Sequence, residues 1–258
     1  MTTEPTPAPR ITGAAYLDLV TETIRRVGER QAAAVAAAAR LVADSIAAGG
    51  VLQAFGSGHS EALAMELAGR AGGLVPSNKI ALRDLVLAGG RPLETLADPF
   101  LERNPDIARQ LLETVPTEPA DVFAVASNSG INGVVVELAL LVKEKGHPLI
   151  AFTSAEHSAQ TPSRHPSGKR LSEIADVVLD NGAPYGDAAM PLPGGGAVGA
   201  VSSVTSAVLA QMVVGEAVQR LLDAGHEPPV YLSANIPGGD DHNLALEARY
   251  AGRIRRTA

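Results

Sequence analysis

Hydrophobic residues recur along this chain with two periods, one typical of helices and one typical of short buried strands. Residues 12–48 show helical spacing in an alanine-rich segment that Gly49 and Gly50 end, and Gly28 is a candidate break between two helices. Further along, four apolar runs predict strands and two amphipathic stretches predict helices. The strands are expected at residues 51–55, 122–126, 149–153 and 177–179, and the helices near residues 61–71 and 134–145.

This alternation of strands and helices indicates the α/β class, with a parallel sheet that carries helices on both faces. The first helical segment forms an arm in front of it. Residues 74–119 look like an insertion between the first two strands, and residues 154–170 form a second long loop. Ligands of open parallel sheets bind outside the carboxyl ends of the strands. The loops that follow the predicted strands are therefore where a site is expected.

Two loops of small polar residues follow the first two predicted strands. They read Gly-Ser-Gly-His-Ser at residues 56–60 and Ser-Asn-Ser-Gly-Ile-Asn at residues 127–132, and each opens a predicted helix. Glycine lets the backbone approach a ligand closely, while serine hydroxyls and free amides at a helix start donate hydrogen bonds to an anion, usually a phosphate. Two such loops in one domain predict a site for a small phosphorylated molecule.

A third glycine-rich segment has the spacing of a dinucleotide fingerprint but not its context. Gly194, Gly196 and Gly199 match the pattern, yet the fingerprint requires a strand directly before it and an acid about 20 residues beyond it. Residues 190–193 are not predicted to be a strand, and Gln211 and Met212 occupy the region expected for the acid, with Glu216 as the nearest one. We therefore interpret this segment as a strand-end turn that contacts a phosphosugar.

The sequence offers little support for a nucleophilic hydrolase site or for a metal site. Ser129 lacks the Gly-x-Ser-x-Gly elbow of a hydrolase nucleophile. His157, His165 and Asp176 could in principle gather around a metal ion, but the loop lacks the short ligand spacings of a metal site. We expect neither a metal nor a cofactor.

Composition narrows the class of protein further. With 258 residues, 46% of them hydrophobic, the chain can bury a sizeable core as one domain with extensions. It has no cysteine, which excludes disulfides and thiolate sites and fits a cytoplasmic location. A net charge of −7 and an aromatic content of 3% argue against nucleic acid as a partner. Residues 1–10 are expected to be a disordered tail, and no run is apolar enough to span a membrane.

The two loops resemble the phosphosugar-binding signatures of the sugar isomerase (SIS) domain family. The resemblance covers residues 46–222 and implies a three-layer, doubly wound, flavodoxin-like parallel sheet. An N-terminal helical arm at residues 11–50 would precede it, and a C-terminal tail and helix at residues 223–258 would follow. It also implies a sugar phosphate as ligand, a role in bacterial carbohydrate metabolism, a homodimer or homotetramer, and neither nucleic acid nor a membrane as partner.

A second resemblance, to a group of stand-alone SIS proteins, extends over nearly the whole chain. It is carried by Pro-Ser-Arg-His at 162–165, Asp-Asn at 180–181, Pro-Tyr-Gly-Asp at 184–187 and Gly-Gly-Asp-Asp-His-Asn at 238–243. In the first loop, Ser60 matches the family's phosphate-binding serine. Asn132 stands where many relatives have threonine, which keeps a donor. The phosphosugar-binding residues that the resemblance implies are Ser57, Ser60, Ser127, Asn128, Ser129, Asn132, Ser202 and Ser203, with Thr205 in the same late cluster.

Aldose–ketose isomerisation needs a base near the carbon acid and a proton donor at the carbonyl, and a carboxylate and an imidazole suit these roles. In several isomerases of the family a glutamate in the helix after the first loop is the base, and Glu66 resembles it, about one helical turn earlier. Glu61 is the competing base. The structural alternative for Glu66 is an ordinary helix ion pair with Arg70. His59 and His242 are the candidate imidazoles. The structural alternative for His59 is a residue of the first helical turn that transfers no proton, and the alternative for His242 is a capped, exposed loop histidine.

Three functions remain open from the sequence. The leading hypothesis is a phosphosugar isomerase. The second is a non-catalytic sugar-phosphate sensor or binding module. The third is an elimination enzyme that cleaves an ether or amino group from a sugar phosphate, because that reaction uses the same base beside the same phosphate anchor.

Overall fold

The computed structural model describes residues 11–256, so the predicted tail at residues 1–10 lies outside the described residues. The first helical segment forms one helix, α1 (Gly13–Ala47), and Thr12 caps its start by accepting a hydrogen bond from the Ala15 amide. The expected break at Gly28 was wrong. Gly28 lies within this continuous helix and faces Met212 of helix α7 (Ser202–Asp223), where an added Cβ would make an ordinary contact at 3.9 Å.

The sheet has five parallel strands in the order β2-β1-β3-β4-β5. All four predicted strands are present, and a fifth, β2, lies inside the region interpreted as an insertion. It was missed because its sequence Ser-Asn-Lys-Ile lacks the apolar run of a buried strand, as befits an edge position. The strands are β1 (Leu52–Gly56), β2 (Ser77–Ile80), β3 (Val122–Ala126), β4 (Leu149–Thr153) and β5 (Val177–Asp180).

Helices cover both faces of the sheet, so the predicted three-layer α/β architecture is confirmed. One face packs against α1, α7 and the short helix α2 (Glu61–Leu67). The other face packs against α4 (Ile107–Glu113) and α5 (Gly133–Glu144). Both faces of the central strands are fully buried, which explains why their sequences are continuous apolar runs instead of alternating ones.

The remaining elements are short. Two helices, α3 (Asp84–Leu87) and α6 (Ala155–Gln160), lie in the long connections. Strands β6 (Ala188–Pro191) and β7 (Ala197–Ala200) form an antiparallel hairpin. Residues 190 and 191 are thus in a strand, contrary to the sequence-based expectation, and the glycine-rich segment is the exposed hairpin turn. An edge hairpin needs little hydrophobic alternation, which is why the pattern did not show it.

The C-terminal segment returns to the amino end of the sheet. Helix α8 (Gly239–Ala248) precedes it, so the expected final basic helix ends before its arginines. Arg253 pairs with Asp121 (2.6 Å), and Arg255 pairs with Asp84 (3.0 Å). Tyr231 packs beside α8, and burial together with the hydrogen bond to Glu247 raises its pKa to about 12.

None of the helices within residues 11–256 combines the length and the apolar character that a membrane crossing requires.

Candidate functional site

Strands β1 and β3 end side by side in the sheet, with Gly56 opposite Ala126. The helix after β1 packs on one face, and the helix after β3 packs on the other. The chain therefore connects strands in opposite directions on the two sides of this strand pair, and a crevice forms at the carboxyl ends of β1 and β3. In doubly wound sheets with this strand order, ligands bind at such a switch point.

The loop after β1 turns so tightly that it requires a glycine. A Cβ on Gly56 would lie 2.2 Å from the carbonyl oxygen of Ser60, which is a backbone atom that cannot move aside cheaply. The chain then forms a single 3-10 turn, Gly58–Ser60, before α2 begins. Ser60 makes no side-chain cap to α2, so its hydroxyl remains available.

The loop after β3 is held by its own first serine. The Oγ of Ser127 accepts a hydrogen bond from the Gly130 amide (3.1 Å), and Gly130 has a φ of +66°, a conformation that glycine adopts without strain. Asn128 turns back toward β5. These local bonds fix the loop in front of the end of β3.

The start of α7 forms the third side of the crevice. Asp187, with a φ of +68°, accepts hydrogen bonds from the amides of Val201 (3.1 Å) and Ser202 (2.8 Å). Its second oxygen accepts from the Ser202 hydroxyl (2.7 Å). A carboxylate thus caps the first turn of α7, while Ser203 beside it remains exposed.

These three segments enclose a cleft of about 280 Å³, including its open mouth. Hydroxyls, amides and one imidazole form its polar lining, and no carboxylate belongs to this lining within the described residues. The polar lining residues are His59, Ser60, Ser127, Asn128, Asn181, Ser202, Ser203 and Ser206, and the apolar ones are Ala62, Leu63, Ala126 and Phe152. Neutral donors without competing acids suit a small anionic ligand.

Six residues of the sequence-predicted site lie together along this cleft, and the sequence reasoning missed two others. Asn181 follows β5 directly and donates from Nδ2 to Asn128 Oδ1 (3.0 Å) and to the Ser206 Oγ (3.3 Å). The rule that picked out residues after β1 and β3 could also have found Asn181. Ser206 lies about one helical turn beyond Ser202 and Ser203 on α7, so helical periodicity could have indicated it.

Ser57 and Asn132 lie outside the cleft lining because a carboxylate holds both of them. Glu102 accepts a hydrogen bond from the Ser57 hydroxyl (3.0 Å) on one oxygen and from Asn132 Nδ2 (2.8 Å) on the other. Arg164 donates to the Asn132 Oδ1 (2.8 Å). Glu102 thereby joins the two loops, and no sequence signal marked it, since it lies in an irregular segment.

Two further predicted residues point away from the cleft lining. The Thr205 hydroxyl donates to the Val201 carbonyl (3.2 Å), a bond to its own helix. Ser129 is half-buried in the second loop, next to Asn128, but does not line the cleft.

Glu66 lies in a neighbouring groove on α2, separate from the cleft. The groove is otherwise lined by Ala207, Val208, Gln211 and Met212 of α7. One oxygen of Glu66 accepts from Arg70 and from Gln211 Nε2 (2.6 Å). Within one chain, Glu66 therefore does not belong to the cleft lining, and the ion pair with Arg70 is present.

The other two titratable candidates are engaged elsewhere. Glu61 pairs with Arg83 and lies 3.7 Å from the Lys79 ammonium. His242, on α8, donates from Nε2 to the Val230 carbonyl (3.0 Å), near the amino end of the sheet. Within residues 11–256, no group of three or more histidine, aspartate or glutamate side chains is arranged to hold a metal ion.

The family model of the SIS domain matches residues 15–154 of this chain. The chain belongs to the SIS domain family. Within the family it is similar over nearly its whole length to UPF0309 proteins. It is 42% identical to the UPF0309 protein lmo0025 of Listeria monocytogenes, over 94% of this chain and 98% of that one. It is 38% identical to the UPF0309 protein GK1441 of Geobacillus kaustophilus, over 93% and 94% of the two chains.

Solved structures share the SIS fold at low sequence identity. A phosphoheptose isomerase from Francisella tularensis superposes with a TM-score of 0.54 and 14% identity, over 81% of this chain and all of that one. The phosphoheptose isomerase GmhA from Neisseria gonorrhoeae gives a TM-score of 0.54 and 17% identity, over 80% and 96%. The SIS-type fold expected from the two loops is thus confirmed.

Proposed function

We propose that this SIS protein binds a sugar phosphate in the cleft at the β1/β3 switch point. The observation that carries the proposal is the convergence of two small-polar loops and the start of α7 on one cleft whose lining holds neutral donors and no acid. A phosphate needs several hydrogen-bond donors and no neighbouring carboxylate, and helix starts favour negative charge.

Two hydroxyl groups of the cleft lining are free to meet a phosphate. Ser60 and Ser203 are the hydroxyls best placed to meet the phosphate, because the first makes no helix cap and the second is exposed.

The proposal is tested by calorimetry or thermal shift with a panel of aldose, ketose and amino-sugar phosphates, against free sugars and inorganic phosphate. A ligand that binds only the folded state raises the melting temperature by mass action. We expect selective stabilisation by one class of sugar phosphate, lost in Ser60→Ala and retained in Ser172→Ala, a matched serine in the 3-10 turn Leu171–Glu173. No response to any phosphate in the wild-type protein would overturn the proposal.

We infer that the reaction at this cleft is aldose–ketose isomerisation. His59 supports it, since it is the titratable side chain of the cleft lining and is exposed to an incoming ligand. A base removes a proton from the carbon next to the carbonyl, and the resulting enediol is reprotonated at the neighbouring carbon. Glu66 is the candidate base, with Glu61 as the competing carboxylate, and its groove lies on the same helix that follows the phosphate loop.

Solvent exchange separates this reaction from its alternatives. The sugar phosphate that binds is incubated in deuterated water with the wild-type protein and with His59→Gln, Glu66→Gln and His242→Gln. The wild-type protein is expected to incorporate deuterium at one carbon and to form a ketose. Variants of residues that transfer protons should lose this activity. Release of an alcohol or of ammonia instead would identify an elimination enzyme. Tight binding without exchange or product would identify a sensor.

We also propose that the protein forms a homodimer or homotetramer, which light scattering would test.

A further inference from the structure

A chain of hydrogen-bonded side-chain amides next to the cleft determines which ring nitrogen of a histidine carries the proton. The sequence analysis did not assign this histidine to the sugar-phosphate site. His157 lies on α6 and is half-buried. Its Nδ1 lies 3.3 Å from Nδ2 of Asn128, a residue of the cleft lining. Its ring is 5.0 Å from the exposed ring of Tyr185, and its contact with Asn128 joins it to the cleft lining.

The orientation of each amide follows from one backbone group. The Ala183 amide can only donate, and it donates to Oδ1 of Asn181 (3.0 Å). The other end of Asn181 is then its Nδ2 donor, so the Asn128 atom that faces it must be the acceptor Oδ1 (3.0 Å). Asn128 is thereby oriented, and its own Nδ2 faces His157.

The same logic fixes the histidine. Because Asn128 Nδ2 donates, His157 Nδ1 must accept, and a neutral imidazole whose Nδ1 accepts carries its proton on Nε2. No residue of the described chain accepts a hydrogen bond from this Nε2 group.

We propose that His157, held as the Nε2–H tautomer by the Ala183–Asn181–Asn128 chain, is a ligand-contacting donor of the sugar-phosphate site. It would donate to a hydroxyl or carbonyl oxygen of the sugar, while the hydroxyls of the cleft hold the phosphate. Asn181 acts as a positioning residue through Asn128. The tautomer follows from the network alone, whereas the contact to the ligand rests on the proposed function.

The tautomer is measured directly by ¹⁵N NMR of the histidine rings at pH 8, with the His157 signals assigned from their absence in His157→Gln. We expect an acceptor-type Nδ1 and a protonated Nε2 in the wild-type protein. Asn128→Asp replaces the donor by a carboxylate oxygen and is expected to move the proton to Nδ1. A wild-type ring protonated on Nδ1 would overturn the network, whether or not the variant folds.

The contact is measured by the affinity for whichever sugar phosphate stabilises the wild-type protein most. Loss of one hydrogen bond corresponds to about fivefold to tenfold weaker binding. We expect that loss in His157→Gln, with inorganic phosphate affinity unchanged, and no loss in His226→Gln, a matched histidine in an exposed loop. Equal affinity of His157→Gln and wild type would overturn the donor role. If the wild-type protein binds no sugar phosphate, the proposed function fails, and the NMR result still decides the tautomer.

Discussion

Polar side chains gather at both ends of the sheet, but the two ends use them in opposite ways. At the amino end, Asp121 is fully buried and accepts hydrogen bonds from the Val51 amide (2.9 Å), Gln53 (3.0 Å) and Arg253 (2.6 Å). His147 is buried beside it and donates to its backbone carbonyl (3.2 Å). Most polar groups at this end bind to other groups of the protein, although the buried Nε of Arg253 has no partner.

At the carboxyl end, the groups that line the cleft are neutral and several of them face solvent. Ser203 and His59 are exposed, and Ser60 does not cap the helix that it precedes. The one carboxylate that joins the loops, Glu102, lies outside the cleft lining. The two ends thus differ in use: polar groups of the amino end mainly bind one another, whereas the cleft keeps hydroxyl donors that face solvent.

The largest expected effect breaks the amino end. Asp121→Ala removes the buried partner of Arg253, which keeps only the exposed Glu118 (2.7 Å), and it also removes the acceptor of the Val51 amide and of Gln53, so we expect a loss of about 3–5 kcal/mol of unfolding free energy. Urea denaturation measures this loss. Asp223→Ala, at the exposed end of α7, is the matched control and should stay within about 0.5 kcal/mol of wild type. A loss below about 1 kcal/mol in Asp121→Ala would show that the amino end does not stabilise the fold.

The next largest effect breaks the carboxyl end. In Gly56→Ala the new methyl group collides with the Ser60 carbonyl, so the first loop must shift. We expect a loss of about 1–3 kcal/mol in stability and at least tenfold weaker binding of the sugar phosphate. Calorimetry of the folded variant measures the affinity. Gly194→Ala, where nothing lies within 4 Å of the added methyl, should change neither quantity. Unchanged binding in Gly56→Ala would separate the loop from the ligand site.

A smaller change tests the link between the two loops. Glu102→Gln keeps the size of the side chain but can no longer accept hydrogen bonds from both Ser57 and Asn132. We expect about 1 kcal/mol of lost stability, as for one hydrogen bond, and about fivefold weaker ligand binding. Glu94→Gln, an exposed glutamate in the preceding 3-10 turn, is the matched control. A variant with wild-type affinity would mean that Ser57 and Asn132 need no fixed separation.

The sequence predicted the parts of the molecule that depend on local patterns. Continuous apolar runs marked the central strands, and small polar residues after β1 and β3 marked the loops, because burial on both faces and close approach to an anion each restrict residue types. The edge strand β2 was missed because its buried residues Ser77 and Asn78 are polar, and the hairpin of β6 and β7 was missed because its exposed strands carry little hydrophobic signal.

Residues whose role depends on distant partners could not be predicted in the same way. Glu102 comes from an irregular segment, and only the tertiary fold brings it to Ser57 and Asn132. Arg253 pairs with Asp121 across 132 positions of sequence. Glu66 shows the converse case, because its place one loop beyond the first strand indicated the cleft, while the direction of its side chain on α2 sends it to the neighbouring groove.

The smallest expected effect is a pH dependence of the unfolding free energy, and it comes from His147 at the amino end of the sheet. Burial lowers the pKa of His147 below its usual value of 6.5, so the unfolded chain binds a proton there at a higher pH than the folded protein does. Wherever the unfolded state binds more protons, stability rises with pH. The contribution of His147 is therefore complete above about pH 6.5 and is lost as the pH falls toward the lowered pKa, with a slope of at most about 1.4 kcal/mol per pH unit.

Urea midpoints between about pH 8 and about pH 5, compared between wild type and His147→Gln, isolate this contribution from that of the carboxylates. The variant should lose less stability on acidification, whereas His226→Gln, with its histidine in an exposed loop, should follow the wild-type curve. Parallel curves for wild type and His147→Gln would mean that the imidazole is protonated as easily in the folded protein as in the unfolded chain. The amino end of the sheet would then accommodate a positively charged His147 without a compensating partner. The two ends of the sheet would differ only in how many of their polar groups have partners.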